Sequence, residues 1–196
     1  MAASIWKLTL EEFHDQLASR DPVPAGVSVA AVSASLALGL LMKVLEITRK
    51  RRDFQGDPQR IEELLVAART ASNKLSQYAD EDIVAFAEYM ASRGSPAEEA
   101  ALQKAIEIPL GGARAAATGL RLCAEVAGMV PASIAPDLGT AALLLGGSVQ
   151  AMLLSVESNA LRLPDEQSRN DVTNEVDILR TSVQALVNTV QQRVET

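Results

Sequence analysis

The sequence predicts an all-α fold: an antiparallel helical bundle of about five to six helices, with residues 1–196 forming one domain. Three observations predict it. From Gln59 to Ala91 the residues Ile61, Leu64, Leu65, Ala68, Ala71, Leu75, Tyr78, Ile83, Phe86 and Met90 keep a helical rhythm. No stretch alternates apolar and polar residues as a half-buried strand would. Two segments, Val27–Thr48 and Thr140–Leu163, are dense in small residues, and the charge-free stretches Ala25–Met42 and Leu138–Val156 are apolar all round, as suits helices at the centre of a bundle or at a dimer interface.

Each element follows from local signals. Leu8, Leu10, Phe13 and Leu17 share a helical face, and Thr9 followed by Glu11 and Glu12 supplies a capped start. Pro22, Pro24 and Gly26 end this helix and lead into the first small-residue helix. That helix ends in the basic run Arg49-Lys50-Arg51-Arg52, before a polar loop with Gly56 and Pro58. The long helix Gln59–Ala91 breaks at Ser92–Pro96. The next starts near Pro96 with Glu98 and Glu99 in its first turn, and Pro109 is expected to kink or split it. Residues 131–139 read as a loop. After Thr140–Leu163, Pro164 and Asp165 form a turn, and a last amphipathic helix spans Asn170–Val194.

Composition excludes several chemistries. Of 196 residues, 48% are hydrophobic, so the chain can build a core rather than stay disordered. One cysteine, Cys123, precludes an intrachain disulfide, and one histidine, His14, leaves too few ligands for a tetrahedral zinc site. A nucleophile–histidine pair would have to use His14, which lies in the amphipathic segment Leu8–Leu17 and reads as a surface or packing residue. No metal site is expected. The net charge of -7 and only six aromatic residues argue against nucleic acid as a partner. The N-terminus carries Glu11 and Glu12 and no long apolar core, so it does not read as a signal peptide, and a cytoplasmic protein is expected.

Ala25–Met42 and Leu138–Val156 are each about the length of a membrane span. Both are rich in Ala, Ser, Gly and Thr, Gln150 lies inside the second, and neither is framed by basic flanks and aromatic belts. Bundle helices rather than a transmembrane hairpin are therefore expected.

Four places hold groups suited to chemistry. The Pro22–Ser28 loop opens a helix whose first N–H groups suit an anion or a carbonyl oxygen; an ordinary turn is the alternative. Lys50, Arg51 and Arg52 are either a helix-end cluster that complements the dipole or a clamp for an anionic ligand. Asp82 shares a helix face with Phe86, close to Ile83 and Tyr89. It reads either as a solvated charge or as a partly desolvated acid shifted towards its neutral form. Asp137, the only charged residue between Glu125 and Glu157, reads as an N-cap or as an acid/base group.

The order of these motifs resembles a family. Its short helix and P-T-P-G-G-G-S loop correspond to Pro22-Val23-Pro24-Ala25-Gly26-Val27-Ser28. Its T-x-x-K-K-x-Y/F element corresponds to Thr48-Arg49-Lys50-Arg51-Arg52-Asp53-Phe54, and its D-x-x-A-F to Asp82-Ile83-Val84-Ala85-Phe86. Its A-x-x-x-P-L/M element matches Ala105–Leu110. Its S-D-x-G-x-A-A loop appears as Pro136-Asp137-Leu138-Gly139-Thr140-Ala141-Ala142, and its N-V-x-x-N as Ser155-Val156-Glu157-Ser158-Asn159. In this succession the chain resembles the cyclodeaminase-like folate enzymes, which include formiminotetrahydrofolate cyclodeaminases and methenyltetrahydrofolate cyclohydrolases.

The resemblance implies an all-α bundle that dimerises through its small-residue helices and binds a folate. It implies hydrolysis of 5,10-methenyltetrahydrofolate to 10-formyltetrahydrofolate, or cyclisation of 5-formiminotetrahydrofolate with release of ammonia. The free-standing chain favours the first. No metal or redox cofactor is expected; a tetrahydrofolate derivative is the substrate. Asp137 and Asp82 are the expected acid/base or pterin-contacting groups. Pro24, Gly26, Ser28 and Asn159 are expected at the ligand, with Lys50, Arg51 and Arg52 on its glutamate tail. The chain also departs from the pattern: Ala25 and Val27 replace loop glycines, Pro136 replaces a serine, and Ser155 replaces an asparagine. These losses motivate an alternative, a non-catalytic helical dimer of the same fold with a degenerate ligand pocket.

Overall fold

The structure is a computed structural model that describes residues 4–194. A 3-10 turn, Ile5–Lys7, precedes six helices among these residues: α1 (Leu10–Leu17), α2 (Gly26–Arg49), α3 (Pro58–Ser92), α4 (Glu98–Val126), α5 (Ala135–Ala160) and α6 (Glu166–Val194). No strand occurs among the described residues. Helices α2, α3, α4 and α5 pack each against the next, and α5 closes the ring onto α2; α6 lies outside against α5 and α4. Neighbours in the ring run antiparallel, the arrangement that short connections impose.

The local signals act as their chemistry requires. Thr9 accepts a 3.1 Å hydrogen bond from the Glu12 N–H, and the Glu12 carboxylate accepts one from the Thr9 N–H at 2.7 Å, closing a capping box. Asp57 caps α3 by accepting from the Gln59 N–H at 2.9 Å, with Pro58 in the first helical turn, where no donor is missed. The N-terminal turn is pinned to α3: the Ile5 N–H donates to Asp80 at 3.0 Å and the Trp6 indole N–H to the Ser76 carbonyl at 3.1 Å.

Two expectations need correction. Residues 131–139 are not a loop throughout: α5 begins at Ala135, so Asp137 lies inside its first turn. Asp137 is not the N-cap, a position held by Ile134 with no side-chain bond. Of the two outcomes expected at Pro109, the split does not occur; α4 runs unbroken from Glu98 to Val126.

Leu38, Leu41 and Leu45 from α2, Ile61, Leu64, Leu65 and Leu75 from α3, Leu120 from α4, and Leu138, Leu145, Met152 and Leu153 from α5 fill the core. Burying a leucine of this kind contributes about 2 kcal/mol. Small residues set how closely the helices approach. A Cβ added at Gly119 would lie 2.6 Å from the Leu38 side chain and 3.1 Å from Leu145. One added at Gly146 would lie 2.6 Å from Val187 of α6. Helices α2 and α5 are long and apolar enough to cross a membrane, and 56% and 50% of their most apolar stretches are buried inside the bundle.

Candidate active site

The expected site residues fall at two opposite ends of the bundle. At one end, the loop before α2, the second half of α3 and the C-terminal part of α5 enclose a cavity of about 500 Å³. Asp82, Gly26 and Asn159 line it, together with Val23, Ala25, Val27 and Ser155. Pro24 and Ser28 are buried beneath its wall.

Asp82 is partly buried, and burial pushes its carboxyl up to about 6; a hydrogen bond from Ser28 pulls the other way. Desolvation disfavours the charged form, and it outweighs the one donor that favours it. The Ser28 hydroxyl also reaches the Ala79 carbonyl at 3.5 Å, so α2 and α3 meet here through polar contact. Ala25 is the N-cap residue of α2 and offers no side-chain bond, so the first N–H groups of α2 have no side-chain partner where they meet the cavity. Among the described residues no residue other than glycine has a positive φ, so the loop needs no glycine freedom at Ala25 or Val27. The replaced glycines leave the backbone path unstrained, and a cavity remains beside them.

Asn159 uses both ends of its amide. Nδ2 donates to the Ala105 carbonyl of α4 at 2.9 Å, and Oδ1 accepts from Arg162 at 2.8 Å. It therefore acts within the wall, fixing α5 to α4 and orienting Arg162. The aspartate, two aromatics and an arginine of α3 follow one face: Asp82, Phe86, Tyr89 and Arg93 are spaced four, three and four residues apart, and all line the cavity. The sequence reading reached Asp82 and Phe86 and missed Arg93 and Arg162. The helical spacing from Asp82 to Arg93 was a signal for the first; nothing local marked the second.

The remaining expected residues lie elsewhere. Arg51 lines a second cavity, of about 590 Å³, with Thr48, Phe54 and Met129, at the far end of α2. Its guanidinium is held by Asp53 at 2.7 and 2.8 Å, which keeps the Asp53 carboxyl below its usual range. Lys50 is exposed, 3.9 Å from Glu46, and Arg52 is exposed. Asp137 lies near this end as well and accepts from Lys43 at 3.5 Å. Helix α2 alone separates the two ends by about 35 Å. Within one chain, Asp137 and the basic run therefore do not meet Asp82.

Two potential nucleophilic or basic groups stand apart. Cys123 is buried and its thiol is pushed up to about 12, which leaves no reactive thiolate. His14 is exposed on α1, with its Nδ1 3.4 Å from Asp15. Among the described residues no three His, Cys, Asp or Glu side chains gather as metal ligands would.

Comparison with known proteins gives three findings. Residues 9–178 match the family model described as formiminotransferase-cyclodeaminase. The chain is 24% identical to the methenyltetrahydrofolate cyclohydrolase of Methylorubrum extorquens, covering 95% of this chain and 96% of that protein. It superimposes on the crystal structure of formiminotetrahydrofolate cyclodeaminase from Thermotoga maritima with a TM-score of 0.93 and 26% identity, covering 97% of this chain and 98% of that one.

Proposed function

The chain belongs to the formiminotransferase-cyclodeaminase family, and on that premise we propose that it is a one-carbon folate enzyme. It hydrolyses 5,10-methenyltetrahydrofolate to 10-formyltetrahydrofolate; cyclisation of 5-formiminotetrahydrofolate with loss of ammonia is the second reaction this site suits. The observation that carries the reading is Asp82. It is a partly desolvated carboxylate in a cavity walled by Phe86 and Tyr89 and faced by the start of α2.

In the hydrolysis, water attacks the carbon bridging the two folate nitrogens, and Asp82 takes its proton. The resulting tetrahedral carbon loses its bond to N5 as that nitrogen takes the proton back from Asp82, and the hydroxyl proton passes to solvent as the carbonyl of the N10-formyl group forms. In the cyclisation, N10 attacks the formimino carbon and gives up its proton, and the formimino nitrogen is protonated and leaves as ammonia when its bond to that carbon breaks. Both need a group that gives and takes a proton near neutral pH, which suits a carboxyl poised at about 6.

The second end of the bundle is proposed to serve a second copy. α2 exposes Val29, Leu36 and Ile47, and α5, packed beside it, exposes Leu143, Leu144 and Leu154. These stripes run between the two ends. A twofold pairing with the helices antiparallel sets the Asp82 cavity of one copy against the Asp137 and Arg51 end of the other. Asp137 then acts across the interface as an acid/base or pterin-contacting group. The apolar stripes support a soluble homodimer over a membrane hairpin, the net charge of -7 argues against nucleic acid, and we place the enzyme in the cytoplasm. The test is the absorbance of methenyltetrahydrofolate with and without protein, with a parallel assay of ammonia release from formiminotetrahydrofolate. Faster loss in either assay is expected; no turnover in both would leave the non-catalytic dimer.

A further inference from the structure

Three titratable side chains other than tyrosine line the Asp82 cavity: Asp82 itself, Arg93 and Arg162. Arg93 is the C-cap residue of α3, and it makes no ion pair among the described residues. Among the described residues, Arg162 donates only to the Ser158 carbonyl at 3.2 Å and to Asn159 at 2.8 Å, both neutral acceptors. The chain has 25 acidic residues against 18 basic ones, yet no Glu and no second Asp lines this cavity. Two guanidinium groups therefore face it with at most one carboxylate. An arginine held by an asparagine carbonyl and left otherwise unpaired is preorganised for an anion from outside.

The face of α3 gives the order of contacts. Asp82, Phe86, Tyr89 and Arg93 follow one another over about 16 Å of helix, reading carboxylate, ring, ring, guanidinium. A folate presents the matching order: the reacting carbon, the aminobenzoyl ring, then the carboxylates of its glutamate. The basic run Lys50–Arg52 begins about 35 Å away in the same chain, so it cannot reach the tail of a ligand held by the Asp82 of its own chain, and its reach from a second copy is tested separately below.

We propose that Arg93 and Arg162 form the carboxylate-binding rim of the Asp82 cavity and hold the anionic tail of the substrate. This rests on the folate reading above. Asn159 is the positioning residue for Arg162. The substrates so selected are those with a carboxylate beyond an aromatic ring. A pterin lacking the aminobenzoyl-glutamate arm loses this contact.

The experiment measures binding by titration calorimetry of 4-aminobenzoyl-glutamate, a dianion, and of 4-aminobenzamide, its uncharged counterpart. Wild type, Arg93→Gln, Arg162→Gln, the double variant and the triple variant K50Q/R51Q/R52Q are compared. Both arginines are exposed, so the substitutions leave the core intact. The double variant is expected to lose about tenfold or more in affinity for the dianion, with the amide unaffected and the triple variant close to wild type. Loss of dianion binding in the triple variant but not in the double one would overturn the rim, as would a wild type that prefers the dianion no more than the amide. Folate turnover separates this from the enzyme reading. A protein that binds the dianion through Arg93 and Arg162 but turns over neither folate overturns the enzyme and keeps the rim. An active enzyme whose KM rises only in the triple variant overturns the rim and keeps the enzyme.

Discussion

Pro109 and Asn159 are complementary. Proline lacks the N–H that would bond the carbonyl four residues earlier, which is that of Ala105. The side-chain amide of Asn159, from α5, donates to that same carbonyl at 2.9 Å. The orphan created by Pro109 in α4 is thus satisfied by a neighbouring helix, and α4 continues unbroken. The same asparagine then orients Arg162 at the cavity rim, so one residue joins helix integrity to the site.

This pairing predicts non-additive stability. Asn159→Ala leaves the Ala105 carbonyl without a donor and is expected to cost about 1–2 kcal/mol. In a Pro109→Ala background, a backbone N–H can serve that carbonyl, and the same substitution costs less. Urea denaturation of the four proteins measures the coupling, expected at about 1 kcal/mol. Strict additivity would show that the two residues are unrelated.

Asp82→Asn is expected to lower turnover by about a hundredfold or more while the helical spectrum is unchanged. With Asp82 as the base in hydrolysis, kcat/KM of the wild type rises as pH increases through about 6, where burial places its carboxyl. A profile flat between pH 5 and 7 removes Asp82 from this role.

The same substitution stabilises. Asp82 titrates at about 6 in the fold against 3.8 in an exposed carboxyl, so the folded state holds its proton more tightly. The stability this gives is present below pH 3.8 and is lost as pH rises through about 6. At pH 8 the ionised wild type bears that loss and the asparagine does not. Asp82→Asn should exceed wild type by about 3 kcal/mol at pH 8 and by little at pH 4. Denaturant titrations at the two pH values check this, and an equal effect at both would contradict it.

A site shared between copies predicts complementation. Leu36→Glu or Leu143→Glu, on the exposed stripes, should convert a dimer to a monomer in sedimentation velocity and abolish turnover. Inactive Asp82→Asn and Asp137→Asn chains, unfolded and refolded together in equal amounts, should recover about a quarter of wild-type activity. Half of the dimers are then mixed, each with one intact site of two. Recovery of nothing would place both aspartates in separate roles.

Gly119→Ala tests helix approach. Alanine ordinarily favours a helix interior by about 1 kcal/mol. Here its Cβ would meet Leu38 and Leu145, both fully buried. The net effect expected is a loss of about 1 kcal/mol. Gly39→Ala, with open space at its Cβ, should gain a similar amount under conditions that keep the chain monomeric. Thermal melts of the two variants separate the signs.

Much of the architecture was legible in the sequence. The rhythm from Ile61 to Met90 marks α3, and Thr9 with Glu12 marks the start of α1, because these signals are local and periodic. The start of α5 was placed too late because Pro131 and Pro136 read as loop, although a proline in the first helical turn misses no bond. Asp82 and Asn159 were legible as site candidates. The separation of Asp137 and Lys50–Arg52 from them was not, since motif order along a chain carries no distance across a bundle.

By itself the sequence determined the helices, the small-residue stripes that bring them together, and the family succession of motifs. These rest on spacing, capping and side-chain volume, which act over one or two helical turns. Only the tertiary structure decided that Pro109 is tolerated, that Asn159 works inside the wall, and that Arg93 and Arg162 share a cavity with Asp82. Those outcomes depend on which residues of different helices meet, and that is set by the antiparallel packing of α2 to α5.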